Sequence, residues 1–257
     1  MKRISAAFFR RIRWTRTMDW HEDEINRIIA RSLESLPFDN LSVFDAPEIQ
    51  LSRAYFIEKI LTKGQGGLCY ELNALLHLVM EECGLVVSLI TATIYDNEEH
   101  KWFTLSDTHV LNIVELDARM WLVDIGFGLK SPRLIVPLDG QVVMYGENEY
   151  RIVQGASYYF LNYKQSEAKE WNIGYRCAID YRHASIQELE RIRHTITFEK
   201  ASPFNIFPMS AIFTATGHEV MTLSGHTIIH NGKKMKLPLT EAQFWKLMSE
   251  RAFPVVI

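Results

Sequence analysis

The chain has 257 residues, 47% of them hydrophobic and 12% aromatic, enough to bury a core as one large domain or as two to three small subdomains. Its 28 basic and 31 acidic side chains leave a formal net charge of -3, which gives no bulk field to draw in nucleic acid or an anionic membrane; any anionic ligand has to be held locally. Three cysteines, at 69, 83 and 177, make neither a disulfide framework nor a C-x-x-C metal or redox pair, and no stretch approaches the ~20 apolar residues of a membrane span, a pattern that suits a reducing cytoplasm.

The N-terminus, Met1-Lys2-Arg3-Ile4-Ser5-Ala6-Ala7-Phe8-Phe9-Arg10-Arg11, begins like a secretion signal. Arg10 and Arg11 cut its apolar run short of the ~7–15 residues such a signal needs, so it reads as mature structure. Asp19 with Glu22 predicts a capped helix start, after which Ile25, Ile28, Ile29, Leu33 and Leu36 share one face until Pro37. A short helix after Ser52 buries Phe56, Ile57, Ile60 and Leu61. The next follows Gly66-Gly67, carries Leu68, Leu72, Leu75, Leu76 and Val79, and stops at Gly84.

From Val86 the pattern turns to short β-branched and aromatic runs, at 86–95, 109–116, 120–125, 150–153, 157–163 and 173–179, which predict a sheet curling into a barrel. A small helix near 185–192 leads to two more strands, around 210–223 and 226–237, the second with an Asn231-Gly232 turn. Thr240 with Gln243 caps a last helix bearing Phe244, Leu247 and Met248. The three stretches, a helical first third, the sheet and a mixed last part, are expected to pack as one body.

Within this frame, Gly66-Gly67-Leu68-Cys69 places a thiol in the first turn of a helix, where unpaired N–H groups favour a thiolate. The paired glycines allow backbone or substrate to come close. Most free cysteines are packing residues, and Cys83 and Cys177 read as such. Support for Cys69 comes from the segment 108–128, a hairpin turning at Asp117-Ala118-Arg119. With a two-residue turn at Asp117-Ala118, Leu116 faces Arg119 and Asp124 shares a face with His109, as diagonal neighbours within reach of each other. A turn one residue longer would put Asp124 on the opposite face. An Asp in a strand of Met120, Trp121, Leu122, Val123 and Ile125 needs a partner, since an unpaired buried carboxylate is costly. Cys69, His109 and Asp124 together form the pattern of a nucleophile, a base and the group that orients the base.

These stretches resemble the arylamine N-acetyltransferases: Leu36-Pro37-Phe38-Asp39-Asn40-Leu41, Gly66-Gly67-Leu68-Cys69-Tyr70-Glu71-Leu72-Asn73, the His109 strand and Val123-Asp124-Ile125-Gly126-Phe127-Gly128, in family order from about residue 8 to 128 and more loosely through Ser202-Pro203-Phe204 and Thr222–Gly225. The resemblance implies the fold class α+β with a cysteine-protease-like Cys-His-Asp core, divided as residues 1–85, a helical bundle; 86–190, a β-barrel; and 191–257, an α/β lid, with Cys69, His109 and Asp124 as catalytic triad. It further implies acetyl-CoA as cosubstrate with no metal, an acetyl-Cys69 intermediate, and small aromatic amines or hydrazines as acceptors. By the same resemblance Phe38 and Phe127 line the aryl pocket, while Thr108, Gly128 and Phe204 lie near coenzyme A. The sequence departs from the family at Asp39, usually Glu, and Gln65, usually Arg; either an Asp39–Gln65 hydrogen bond replaces a salt bridge under the catalytic loop, or Lys63 takes the positive role.

Cys, His and Asp in this order also serve thiol hydrolases and transglutaminase-like amide-forming enzymes, and the acyl acceptor separates the two readings. A third reading is a non-enzymatic module binding coenzyme A or a small aromatic. A zinc site on Cys69 lacks a second ligand pair, since His77 lies eight residues along the helix.

Overall fold

The structure is a computed structural model that describes residues 4–15, 20–45, 49–166 and 168–252. Its order is helices first, then a large antiparallel sheet, then a helix, a smaller sheet and a last helix. Helix Ile4–Arg11 buries Ile4 and Phe8, and helix Glu22–Ser35 buries Ile25, Ile28, Ile29 and Leu33, the stripe that 3.6-residue spacing predicts. That second helix begins behind His21, whose side chain makes no capping bond; Asp19, the expected cap, lies outside the described residues. Ser52 does cap its helix, accepting from the Tyr55 amide at 3.1 Å, and the turn then widens into a π-helix over Ile57–Thr62.

The large sheet runs in the order Val136–Pro137, Arg119–Val123, His109–Leu116, Val86–Asp96, Asn172–Ala178, Tyr158–Lys164, Asn148–Gln154 and Val143–Tyr145, with Lys101–Trp102 on the end of Val86–Asp96. It is a nearly closed, barrel-like sheet. Its inner residues Ile90, Leu111, Ile113, Leu122, Ile152, Leu161 and Tyr175 form one cluster. Val110, Val114, Trp121 and Val123, on the opposite side of the same strands, join the larger cluster of the helices. The strand His109–Leu116 is therefore buried on both faces, with helix Cys69–Glu82 lying across its outer one. Alternation puts His109 on the barrel side with Leu111 and Ile113.

The hairpin has the two-residue turn: Leu116 pairs with Arg119 and Asn112 with Val123. Asp117 and Ala118 both take positive φ, 51° and 59°, the backbone that matches the twist of the flanking strands. The expected strands 210–223 and 226–237 are instead four, Met209–Thr214, Gly217–Thr222, Gly225–His230 and Lys233–Leu237. Each long run conceals a tight turn, and Asn231-Gly232 makes the last of them with φ of 48° and 74°. The small helix is longer than expected, Ile186–Phe198, and Thr240 with Gln243 caps the last one as predicted.

Two features join the parts. Strand Phe38–Asp39, from the helical third, completes the smaller sheet by pairing Phe38 with Ala211 and Asp39 with Ser210. Arg133, 6% exposed, ion-pairs Glu34 of the second helix, donates to the Thr214 carbonyl at 3.3 Å, and stacks on the rings of Tyr145 and Phe213 at 4.6 and 5.1 Å. One guanidinium thus spans helices, barrel and lid. Arg133→Ala leaves the Glu34 carboxylate without its cation, and the expected loss is about 3 kcal/mol of unfolding free energy. A urea titration in which the midpoint does not move would show that Arg133 is no joint.

Candidate active site

Cys69 is the first residue of its helix, and the chain entering it is held at every step. Arg11 donates to the Gly64 carbonyl at 2.9 Å. The Gln65 amide bonds the Lys59 carbonyl at 3.1 Å, and the Gly67 amide bonds that of Pro37 at 3.1 Å. The Leu68 amide donates to Glu71 Oε2 at 3.0 Å, satisfying one of the free donors at the helix start. Glu71 is fully buried and takes two further donors on Oε1, the Lys59 ammonium at 2.6 Å and the Tyr55 hydroxyl at 2.7 Å. Glycine is required at 66 because a Cβ there would sit 2.2 Å from the Pro37 carbonyl oxygen.

Lys59, with Glu71, is the positive partner under this loop. The expected Asp39–Gln65 hydrogen bond does not occur, and Lys63 is exposed with Glu58 at 3.9 Å. Asp39 sits 4% exposed and accepts from the Leu41 amide at 3.3 Å. Burial, opposed by Lys59, pushes its carboxyl up to about 6. Gln65 fails as a partner because its side chain faces solvent.

His109 and Asp124 meet as the hairpin register requires, His109 Nε2 at 2.7 Å from Asp124 Oδ2. The carboxylate is fully buried and takes three more donors: the Tyr175 hydroxyl at 2.9 Å on the same oxygen, and the Asn73 Nδ2 and the Gly126 amide at 2.8 and 2.7 Å on the other. Burial works against its charge, and these donors with His109 outweigh it, so the carboxyl is held below its ordinary range. Burial likewise opposes a charged imidazole at His109, but Asp124 and then Cys69 reverse that and raise it above its ordinary value. Each partner thus favours the charged form of the other. With Nε2 committed to Asp124, Nδ1 remains for the sulfur. Cys69 is 5% exposed, with Sγ 3.7 Å from the Thr108 carbonyl oxygen. Gly126 closes the far side: a Cβ there would lie 2.6 Å from the Cys69 Cα and 2.7 Å from Asn73 Nδ2.

Cys69 and His109 open onto a cleft of about 880 Å³ between the barrel mouth and the smaller sheet. All five residues expected around substrate or cosubstrate line it: Phe38, Phe127, Thr108, Gly128 and Phe204. Phe38 packs edge-on against Phe204, with centroids 5.8 Å apart. Phe127 packs against His109 and Tyr175 at 5.4 and 5.1 Å. Asp124 lies behind, out of the cleft.

Asn73 and Tyr175 were not singled out in the sequence. Asn73 carried a readable signal, since i+4 from Cys69 puts it on the same helix face. For Tyr175 the signal is weaker, a Tyr alternating with Cys177 on an inward strand face, whose hydroxyl needs a partner when buried.

The chain from 23 to 255 matches the family model described as N-acetyltransferase. The uncharacterized acetyltransferase YvcN of Bacillus subtilis (strain 168) is 30% identical over 76% of both chains. The arylamine N-acetyltransferase of Escherichia coli (strain K12) is 30% identical over 68% of this chain, which spans 62% of that protein's length. Among solved structures, an arylamine N-acetyltransferase from Bacillus cereus with a unique Cys-His-Glu catalytic triad superposes with a TM-score of 0.89 at 26% identity, over 96% of this chain and 97% of that one. Arylamine N-acetyltransferase C from Bacillus anthracis gives 0.87 at 29% identity, over 97% and 98%.

Two outcomes follow from the geometry. In Asp124→Asn protein only Cys69 is left to oppose the burial of His109, so its ring is expected to titrate at a lower pH than in the wild type; ring-proton NMR shifts against pH report this, and identical curves would refute it. Gly126→Ala should push the Cys69 backbone aside and slow alkylation of that thiol by iodoacetamide about a hundredfold, whereas an unchanged rate would mean the close approach is immaterial.

Proposed function

Because this chain belongs to the arylamine N-acetyltransferase family, we propose that it moves an acetyl group from acetyl-CoA to small aromatic amines and hydrazines through an acetyl-Cys69 intermediate. The observation that carries this reading is the meeting of Cys69, His109 and Asp124 at one end of an aromatic cleft. The histidine's partners give the roles. His109, whose charged form Asp124 favours, takes the Cys69 proton as the sulfur attacks, the base role in such a triad.

In the first half-reaction Cys69 Sγ attacks the thioester carbonyl. The new carbon–sulfur bond forms, the bond to the sulfur of coenzyme A breaks, and that sulfur leaves with the proton from His109. The exchange of one thioester for another is nearly isoenergetic. In the second half-reaction the amine nitrogen attacks the acetyl-Cys69 carbonyl, its surplus proton passes to His109, and Cys69 departs and takes that proton back. Amide formation drives this step forward. Asp124 keeps its charge throughout and fixes the ring with Nδ1 toward the sulfur, the orienting role that a carboxylate plays in such a triad.

Phe38 and Phe127 line the same cleft as Cys69 and would hold an aryl ring, while Thr108, Gly128 and Phe204, which line it too, would meet the pantetheine arm. Residues of the smaller sheet line the cleft and Cys69 is 5% exposed, an arrangement that favours transfer over hydrolysis by limiting the access of water. Among the described residues no helix is long and apolar enough to cross a membrane, and three free thiols suit a reducing compartment such as the cytoplasm.

Mixed with acetyl-CoA and no acceptor, the protein is expected to carry one acetyl group, on the peptide containing Cys69, and to release it when aniline is added. Cys69→Ser should lower turnover about a thousandfold or more. Mass spectrometry that finds no adduct, or a serine variant that still acetylates aniline at the original pace, would remove the intermediate from the reaction.

A further inference from the structure

Asn40 ends the strand Phe38–Asp39 and is 1% exposed. Its side-chain amide uses every donor it has: Nδ2 donates to the Phe204 carbonyl at 2.8 Å and to the Phe207 carbonyl at 2.9 Å, while Oδ1 accepts from the Met209 amide at 2.7 Å. The backbone of Asn40 adds a bond to the Met209 carbonyl at 3.3 Å. These four bonds all fall on residues 204–209, some 164 positions away in the chain, and Ser202, Pro203, Phe204 and Met209 line the cleft.

Apart from Phe204, which packs at the edge of the helical core, the segment has little apolar to hold it against the helical third. Ile206 and Phe207 are 68% and 47% exposed, and Phe204 touches Phe38 by one ring edge. Asn205 ties the segment elsewhere, to the carbonyls of Thr197 and Glu199 at the end of helix Ile186–Phe198. A stretch with few buried apolar contacts is ordered by whatever polar bonds it makes. We propose that Asn40 is a positioning residue: it docks segment 202–209 as one wall of the cleft and so sets how tightly the acyl donor is held. This rests on the acetyl-CoA reading above. Asn40 itself touches no reacting atom, since Phe38, two residues earlier, carries that strand's contact with the cleft.

The two variants that test it differ in chemistry. Asn40→Asp keeps the acceptor for Met209 but turns an oxygen toward two carbonyls that need donors, and Asn40→Ser is too short to span them. Rapid acetylation of Cys69 is measured over a range of acetyl-CoA concentrations, beside alkylation of the same thiol by iodoacetamide, with near-UV circular dichroism to confirm packing. The half-saturating concentration should rise about ten- to a hundredfold, while the limiting rate and the alkylation rate stay within about threefold of wild type.

An unchanged half-saturation in either folded variant overturns the proposal. So does a parallel fall in limiting rate and alkylation, which is what damage to the fold would give. If the aspartate variant does not fold, the serine variant decides. A wild-type protein that acetyl-CoA never acetylates removes the donor reading and this one with it, an outcome distinct from acetylation that ignores Asn40.

Discussion

A carboxylate with no contact with solvent can stay ionised only if the protein supplies what water would have. Asp124 obtains four donors from four places: a helix through Asn73, two strands through His109 and Tyr175, and its own turn through Gly126. Each donor is aimed by an element that does other work in the core, so helix, barrel and turn are locked together at the point where charge is needed. The same arrangement raises His109 and, because burial and Asp124 push the Tyr175 hydroxyl well above its usual range, keeps that tyrosine a donor. Position and protonation are settled by one group.

The thiol is placed by a different device, close backbone approach. Glycine at 66 and at 126 lets two chains pass where any side chain would collide, and the buried Lys59–Glu71 pair with Tyr55 anchors the helix start between them. Strand Phe38–Asp39 then carries this rigidity outward. Its alternation sends Phe38 to the cleft and Asp39 to a second, rear cavity of about 510 Å³ behind the loop. Its pairing with Met209–Thr214 brings the smaller sheet to the cleft beside Cys69.

What was legible in the sequence is what depends on neighbours in the chain. The His109–Asp124 pairing followed from counting residues across a two-residue turn, and the helix start at Cys69 followed from two glycines. The family motifs supplied the α+β class and the helix, barrel and lid arrangement, which the fold has. Illegible were the contacts that join distant elements. Nothing local marks Arg133 as the joint of three regions, or Tyr175 as a partner of Asp124. The Asp39–Gln65 expectation failed for the same reason: adjacency in two motifs did not reveal that Lys59, from the π-helical turn, reaches the space first. The four short lid strands were read as two because residues 215–216 interrupt the pattern too briefly to stand out and the Asn231-Gly232 turn was kept inside a single strand.

The bond from Tyr175 has a meaning for synthesis. Cys69 is made early in the chain, yet groups that complete its surroundings arrive 51 positions after Asp124 and 164 after Asn40. Until the barrel closes and the last sheet docks, Asp124 lacks its Tyr175 donor and the cleft beside Cys69 lacks one wall. Completion of the site is thus coupled to the end of folding.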